Sequence, residues 1–223
     1  MDERTIILAR NLVHNSCEIK PGEKVWINHV GNATEHIVKA LIREVYAVGA
    51  IPFVHYENMR IKRELLMQCT EEQLRMMAER DCKEMSQMDV FIGIRGNINS
   101  AELSDVPSEK IEMYETIYSK PVHYEVRIPK TRWVVLRFPT ESMAQQSNMS
   151  SEAFRDFYYK VCNLDYSKME KASMALVDLM NRTDKVRITG DGTDLTFSIN
   201  DIPAVTCCGH MNIPDGEVYT APV

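Results

Sequence analysis

Apolar positions along this chain follow two rhythms, and where one gives way to the other marks the elements. Lys24-Val25-Trp26-Ile27-Asn28, just after Pro21-Gly22, is a short and nearly continuous apolar run. Such a run predicts a strand buried on both faces. Over 33–48 the spacing lengthens: Ile37, Ala40, Leu41, Val45 and Val48 fall on one helical face, and Gly49 supplies a stop. Ile51 to His55 then returns to a strand pattern. Strand, helix, strand is a βαβ unit, which implies a parallel pair joined by a right-handed crossover.

The alternation continues. Thr70 with Gln73 makes a capping box for a helix running to about Gln87. Asp89 to Ile94 predicts a third strand, Ile111 to Tyr118 a helix, and Arg132 to Phe138 another buried strand. Two helices follow at about 151–162 and 168–182. The second has Ser167 and Glu170 as a capping box, and Met169, Ala172, Leu176 and Met180 as an apolar stripe.

Near Asp184 the pattern changes. Lys185 to Thr189 and Leu195 to Ile199 read as strands joined through Asp191-Gly192-Thr193, a strong hairpin signal. The expected fold class is therefore α/β: a mainly parallel sheet with flanking helices in three layers, followed by the start of a second, β-containing domain. The domains are placed at 1–183 and 184–223. The forty residues of the second stretch are too few for an independent core. The hairpin is expected to bury Val186, Ile188, Leu195, Phe197 and Ile199, and the residues after Cys207 to be less well held. An exposed edge there would invite pairing with another chain, so a homodimer stays open.

Composition narrows the function classes. Of 223 residues, 44% are hydrophobic and 26% charged, so a core forms and disorder is not the default. The net charge of −6, with no basic run longer than two, argues against nucleic acid. No apolar run approaches the roughly 18 residues a membrane span needs. Six cysteines without a CxxC pair, and no signal peptide, fit a cytoplasmic protein.

Most candidate chemistry is weak. Gly93-Ile94-Arg95-Gly96-Asn97 leaves the third strand where parallel sheets bind ligands, but lacks phosphate-loop spacing and reads as a plain turn. The six histidines form no HExxH, and each reads as a surface or hydrogen-bonded side chain. Cys207-Cys208 reads as a pair of buried thiols, because neighbouring strand residues point to opposite faces. Asn212-Ile213-Pro214-Asp215-Gly216-Glu217-Val218-Tyr219-Thr220 delivers one glutamate, Glu217, from a Pro-Asp-Gly turn onto a β-type run. A carboxylate on rigid β structure suits a divalent metal. On chemistry alone a solvated glutamate beside a turn is the commoner case.

Family resemblance changes that weighting. Gly192-Thr193-Asp194-Leu195-Thr196-Phe197-Ser198 and the Asn212–Pro222 segment resemble the paired motifs of the aminopeptidase T family, the thermophilic-type leucyl aminopeptidases. Leu12 through Pro21-Gly22-Glu23-Lys24-Val25 and on to Ala50 resembles that family's opening. The Asn-x-Pro-x-x-Glu-Val pattern is the most specific part. The resemblance implies a protein nearly twice this length, with an N-terminal α/β domain ahead of a catalytic domain. That domain binds two divalent metal ions, zinc or cobalt, and acts on peptide substrates. It further implies that Glu217 is the first metal ligand in chain order and that no catalytic residue lies within this chain. The chain alone is then expected to be an inactive fragment. The alternative is a non-catalytic α/β binding or assembly module. A reading frame continuing past Val223 with further Glu, His and His-x-Asp motifs would favour the former, and a stop codon the latter.

Overall fold

The computed structural model describes residues 2–223 and has an α/β architecture. The elements run α1 (Glu3–Asn11), β1 (Lys24–Val30), α2 (Glu35–Ala47), β2 (Ile51–Glu57), α3 (Met59–Gln68), α4 (Glu71–Met85), β3 (Val90–Arg95) and α5 (Ser108–Tyr114). A π-helix, Glu115–Arg127, continues α5 and ends in the short α6 (Ile128–Lys130). Then come β4 (Arg132–Arg137), α7 (Glu141–Gln146), α8 (Ser151–Cys162), α9 (Tyr166–Asn181), β5 (Lys185–Gly190), β6 (Thr193–Ser198), β7 (Val205–Cys207), β8 (Asn212–Ile213) and β9 (Glu217–Tyr219).

The main sheet has the order β2-β1-β3-β4-β8, and every pair in it is parallel. Lys24 pairs with Ile51 and Asn28 with His55, so the expected βαβ unit is present in parallel register. The chain moves from β1 outward to β2, then returns to place β3 on the other side of β1. That reversal is a topological switch point, the place where open parallel sheets leave a crevice beyond their carboxyl ends.

Strand alternation sends side chains into two different layers. Val25, Ile27, Ile92, Ile94, Val134 and Leu136 join α1, α2 and α8 in the larger core. Trp26 and Phe91, on the opposite face, meet Ala78 and Met85 of α4 and Val122 of the π-helix. The sheet is buried on both faces, which explains its continuous apolar runs.

Several expectations need correction. The helix expected at 111–118 runs on through Pro121, which lies inside the π-helix. Proline lacks the N–H that an α-helix interior needs, so the local sequence suggests a stop. For α9, the N-cap is Asp165 rather than Ser167: its Oδ1 accepts from Lys168 N at 3.0 Å. Ser167 Oγ instead donates to Asn15 Oδ1. The buried positions of α9 are Tyr166 and Val177, with Met169, Ser173 and Met180 half-buried, whereas Ala172 and Leu176 are exposed.

The Asp191-Gly192 hairpin forms as expected, but it does not bury all its apolar residues. Ile199 is buried and Val186 and Phe197 half-buried, while Ile188 is 49% and Leu195 52% exposed. The last segment is tied down at three points. β8 joins the main sheet beside β4, β9 pairs with β7, and Val223 N donates to Ser198 O at 3.0 Å. Ile213 anchors β8 by burying its side chain in the larger core.

Candidate functional site

Glu217 opens β9, immediately after Pro214-Asp215-Gly216. The Ile213-Pro214 bond is cis. Asp215 folds back over the turn, and its Oδ2 accepts from Gly209 N at 2.7 Å. Gly209 itself lies flat on the Tyr166 ring of α9; a Cβ there would sit 2.7 Å from ring carbon. The turn is thus seated on the start of α9 from one side and held by β7 from the other. In the β7–β9 register Glu217 stands opposite Cys207. Burial raises the Cys207 thiol, and the Asp215 and Glu217 carboxylates add to that rise, so it stays protonated.

The Glu217 side chain is exposed, and among the described residues it forms no hydrogen bond or ion pair. It is therefore a free oxygen donor. No group of three or more His, Cys, Asp or Glu side chains able to hold a metal occurs among the described residues. Zinc takes three or four protein ligands in ordinary sites. The residues present do not make a metal site by themselves; they present one carboxylate. The histidines are otherwise engaged or isolated. His29 Nδ1 is 2.9 Å from Thr34 Oγ1. His55 stacks on Trp26 at 3.6 Å and meets Glu84 at 3.1 Å.

A second cluster lies on the α4 and π-helix side of the sheet. There β1, β2 and β3 present Asn28, Glu57 and Arg95 toward their carboxyl ends, α3 brings Lys62, and the π-helix brings His123 and Arg127. Asn28 Nδ2 and Lys62 Nζ both donate to Glu57, at 2.8 and 3.2 Å. Lys62 Nζ also donates to Tyr114 Oη at 2.8 Å. Burial alone would raise the Glu57 carboxyl, but Lys62 and Asn28 outweigh it and hold it below the usual carboxylate range. His123 is pushed down to about 4, first by burial and then by Arg127, so it is neutral at physiological pH. Burial, then Arg95, bring the Arg127 guanidinium down to about 10. Arg127 lies over the Phe91 and Trp133 rings, 4.9 and 4.8 Å from their centres. Its Nε and Nη1, with His123 Nδ1, are buried and have no hydrogen-bond partner among the described residues. The Gly93-Ile94-Arg95-Gly96-Asn97 segment, read from sequence as a plain turn, lines this cleft; the other signal was the spacing of Glu115, Ser119, His123 and Arg127 at every fourth residue. Pro121 hid it by arguing against a helix there.

The fold and these sites define an α/β protein with a two-sided sheet and a carboxylate-bearing β turn. The chain belongs to the family described as thermophilic metalloprotease (M29), whose model matches residues 1–223. Among solved structures it resembles wild-type AmpT from Thermus thermophilus, with a TM-score of 0.76 at 19% identity, covering 99% of this chain and 62% of that one. It also resembles the 2,5-dihydroxypyridine dioxygenase of Pseudomonas putida, with a TM-score of 0.51 at 12% identity, covering 98% and 55%. At these identities the two structures speak for the fold. The chain spans less than two thirds of either. No curated protein matches it. No helix among the described residues is long and apolar enough to cross a membrane.

Proposed function

We propose that this chain supplies the α/β domain and the first metal-ligating carboxylate, Glu217, of a metal-dependent aminopeptidase that removes N-terminal residues from peptides. The observation that carries this reading is the family match along residues 1–223. The exposed Glu217 carboxylate, unpaired among the described residues and set on a seated turn, agrees with it. Residues 1–183 would form the α/β domain and 184–223 would belong with the catalytic domain. The cofactor would be two divalent ions, zinc or cobalt, the substrates peptides and the compartment the cytoplasm. One carboxylate does not hold two ions, so the 223-residue chain alone is expected to be inactive.

Hydrolysis of leucine-4-nitroanilide with added cobalt or zinc tests this in two arms. The 223-residue chain should show nothing above background, and metal-dependent turnover of about 1 per second or more would refute the donor-count argument. Protein expressed from the whole reading frame should be active. In it, Glu217→Gln should cut activity at least about a hundredfold and lower bound metal, since even outer-shell partners cost 10–100-fold. Unchanged activity in that variant removes Glu217 from the site. No activity in the whole protein with any divalent metal removes the aminopeptidase reading.

A further inference from the structure

We propose that the cleft between the sheet and the π-helix binds a small organic anion: a carboxylate or phosphate on a flat apolar body, its charge on Arg127 and Arg95 and its body among the aromatic rings. No residue of the cleft comes from 184–223, so the proposal stands apart from the peptidase reading.

The cleft carries unmatched charge. Elsewhere in this region the protein pairs its ions: Glu57 takes Lys62, and Asp81 takes Arg80 at 2.7 Å. Arg127 and Arg95 form no ion pair among the described residues. Three cations, Lys62, Arg95 and Arg127, face two carboxylates, Glu57 and the exposed Glu115. The cleft is therefore positive by one charge, with His123 neutral. Arg127 is half-buried and has no counter-ion to offset its lost hydration. The Phe91 and Trp133 faces offset only part of that loss. The Arg127 guanidinium makes no hydrogen bond among the described residues, and its Nη2, together with Nε or with Nη1, forms the fork that carboxylate and phosphate oxygens fit two at a time.

Two adjoining cavities of about 320 and 270 Å³ share Asn28, Glu57, Lys62, Phe91, Tyr114 and His123. Arg95 and Arg127 line only the first; Trp26, Met85 and Tyr118 line only the second. Tyr114 and Tyr118 are stacked at 4.9 Å and form one wall of the second. One end is cationic, the other aromatic, and His123 Nδ1 stands between them without a partner. The volumes suit a small molecule. The cleft lies toward the carboxyl ends of β1, β2 and β3, beside the switch point. Its outer wall is a π-helix, a rare form found often at functional sites.

The protein carries its own reporters. Its only two tryptophans, Trp26 and Trp133, lie on this face of the sheet, one lining the cleft and one under Arg127. Tryptophan fluorescence of the 223-residue chain should change saturably with phenyl phosphate or benzoate. Neutral benzamide should bind at least about tenfold more weakly, a difference of about 1.4 kcal/mol. Arg127→Met should weaken phenyl phosphate at least tenfold and Arg95→Ala about threefold, with circular dichroism unchanged. If Arg127→Met does not fold, Arg95→Ala and weakening by added salt decide the matter. No saturable change with either anion, or equal binding of benzamide, overturns the anion site. Inorganic phosphate binding as tightly as phenyl phosphate overturns the apolar half. Full affinity in both arginine variants overturns the assignment to this cleft.

Discussion

Replacing Gly31 with alanine should destabilise the protein by about 3 kcal/mol, and the reason is separable into two parts. Gly31 follows β1 with φ 79° and ψ 156°, a region that only glycine enters freely. Forcing alanine there costs roughly 1–3 kcal/mol. A Cβ at Gly31 would also sit 2.6 Å from the Gly96 carbonyl oxygen, a backbone atom that cannot rotate away. Relief requires the Gly96 loop to withdraw, and that loop is held by Gly96 N donating to Val30 O at 2.9 Å. Losing that bond adds about 1 kcal/mol. Gly22 provides the control: its φ is 82°, and a Cβ there meets nothing within 4 Å. Gly22→Ala should therefore cost only the conformational part, about 1–2 kcal/mol. Urea unfolding at equilibrium gives both values, and thermal melting should show about 6–12 °C lost for Gly31→Ala. If the two variants lie within about 0.5 kcal/mol of each other, the close approach of the β1 and β3 loops is not what fixes glycine at position 31.

Two further outcomes follow from particular residues. Asp165→Ala should cost about 1 kcal/mol by uncapping α9, and Ser167→Ala well under that, measured by urea unfolding; the reverse order would restore Ser167 as the cap. His123 has a folded pKa of about 4 against an ordinary value of 6.5. Between those values the unfolded chain binds a proton that the folded chain does not. Stability should thus be full above pH 6.5 and fall by a few kcal/mol as pH drops toward 4. A His123→Gln variant should flatten that slope, and a slope unchanged by the substitution would place the linkage elsewhere.

The strands and helices of the α/β layer system were legible because burial on two faces leaves continuous apolar runs, and one-sided burial leaves helical spacing. Val25 to Ile27, Phe91 to Ile94 and the Asp191-Gly192 hairpin could be read from local order alone. Glu217 was singled out as a candidate in the same local way, through a motif whose residues are neighbours in the chain. Other features depend on residues distant in sequence. Which stripe of α9 turns inward is decided by the later strand and turn segment, with Gly209 on Tyr166, and that shifts burial from Leu176 to Val177. Whether Ser167 caps a helix depends on Asn15, more than a hundred residues earlier, which takes its hydroxyl. The π-helix survives Pro121 because Val122 packs into the core with α4 and the sheet, and tertiary packing outweighs local propensity. The cleft was hidden for the same reason. Asn28, Glu57, Lys62, Arg95, His123 and Arg127 come from five separate elements, each with ordinary local spacing. Only a parallel sheet that lines up its carboxyl ends, roofed by that helix, turns six scattered polar residues into one site.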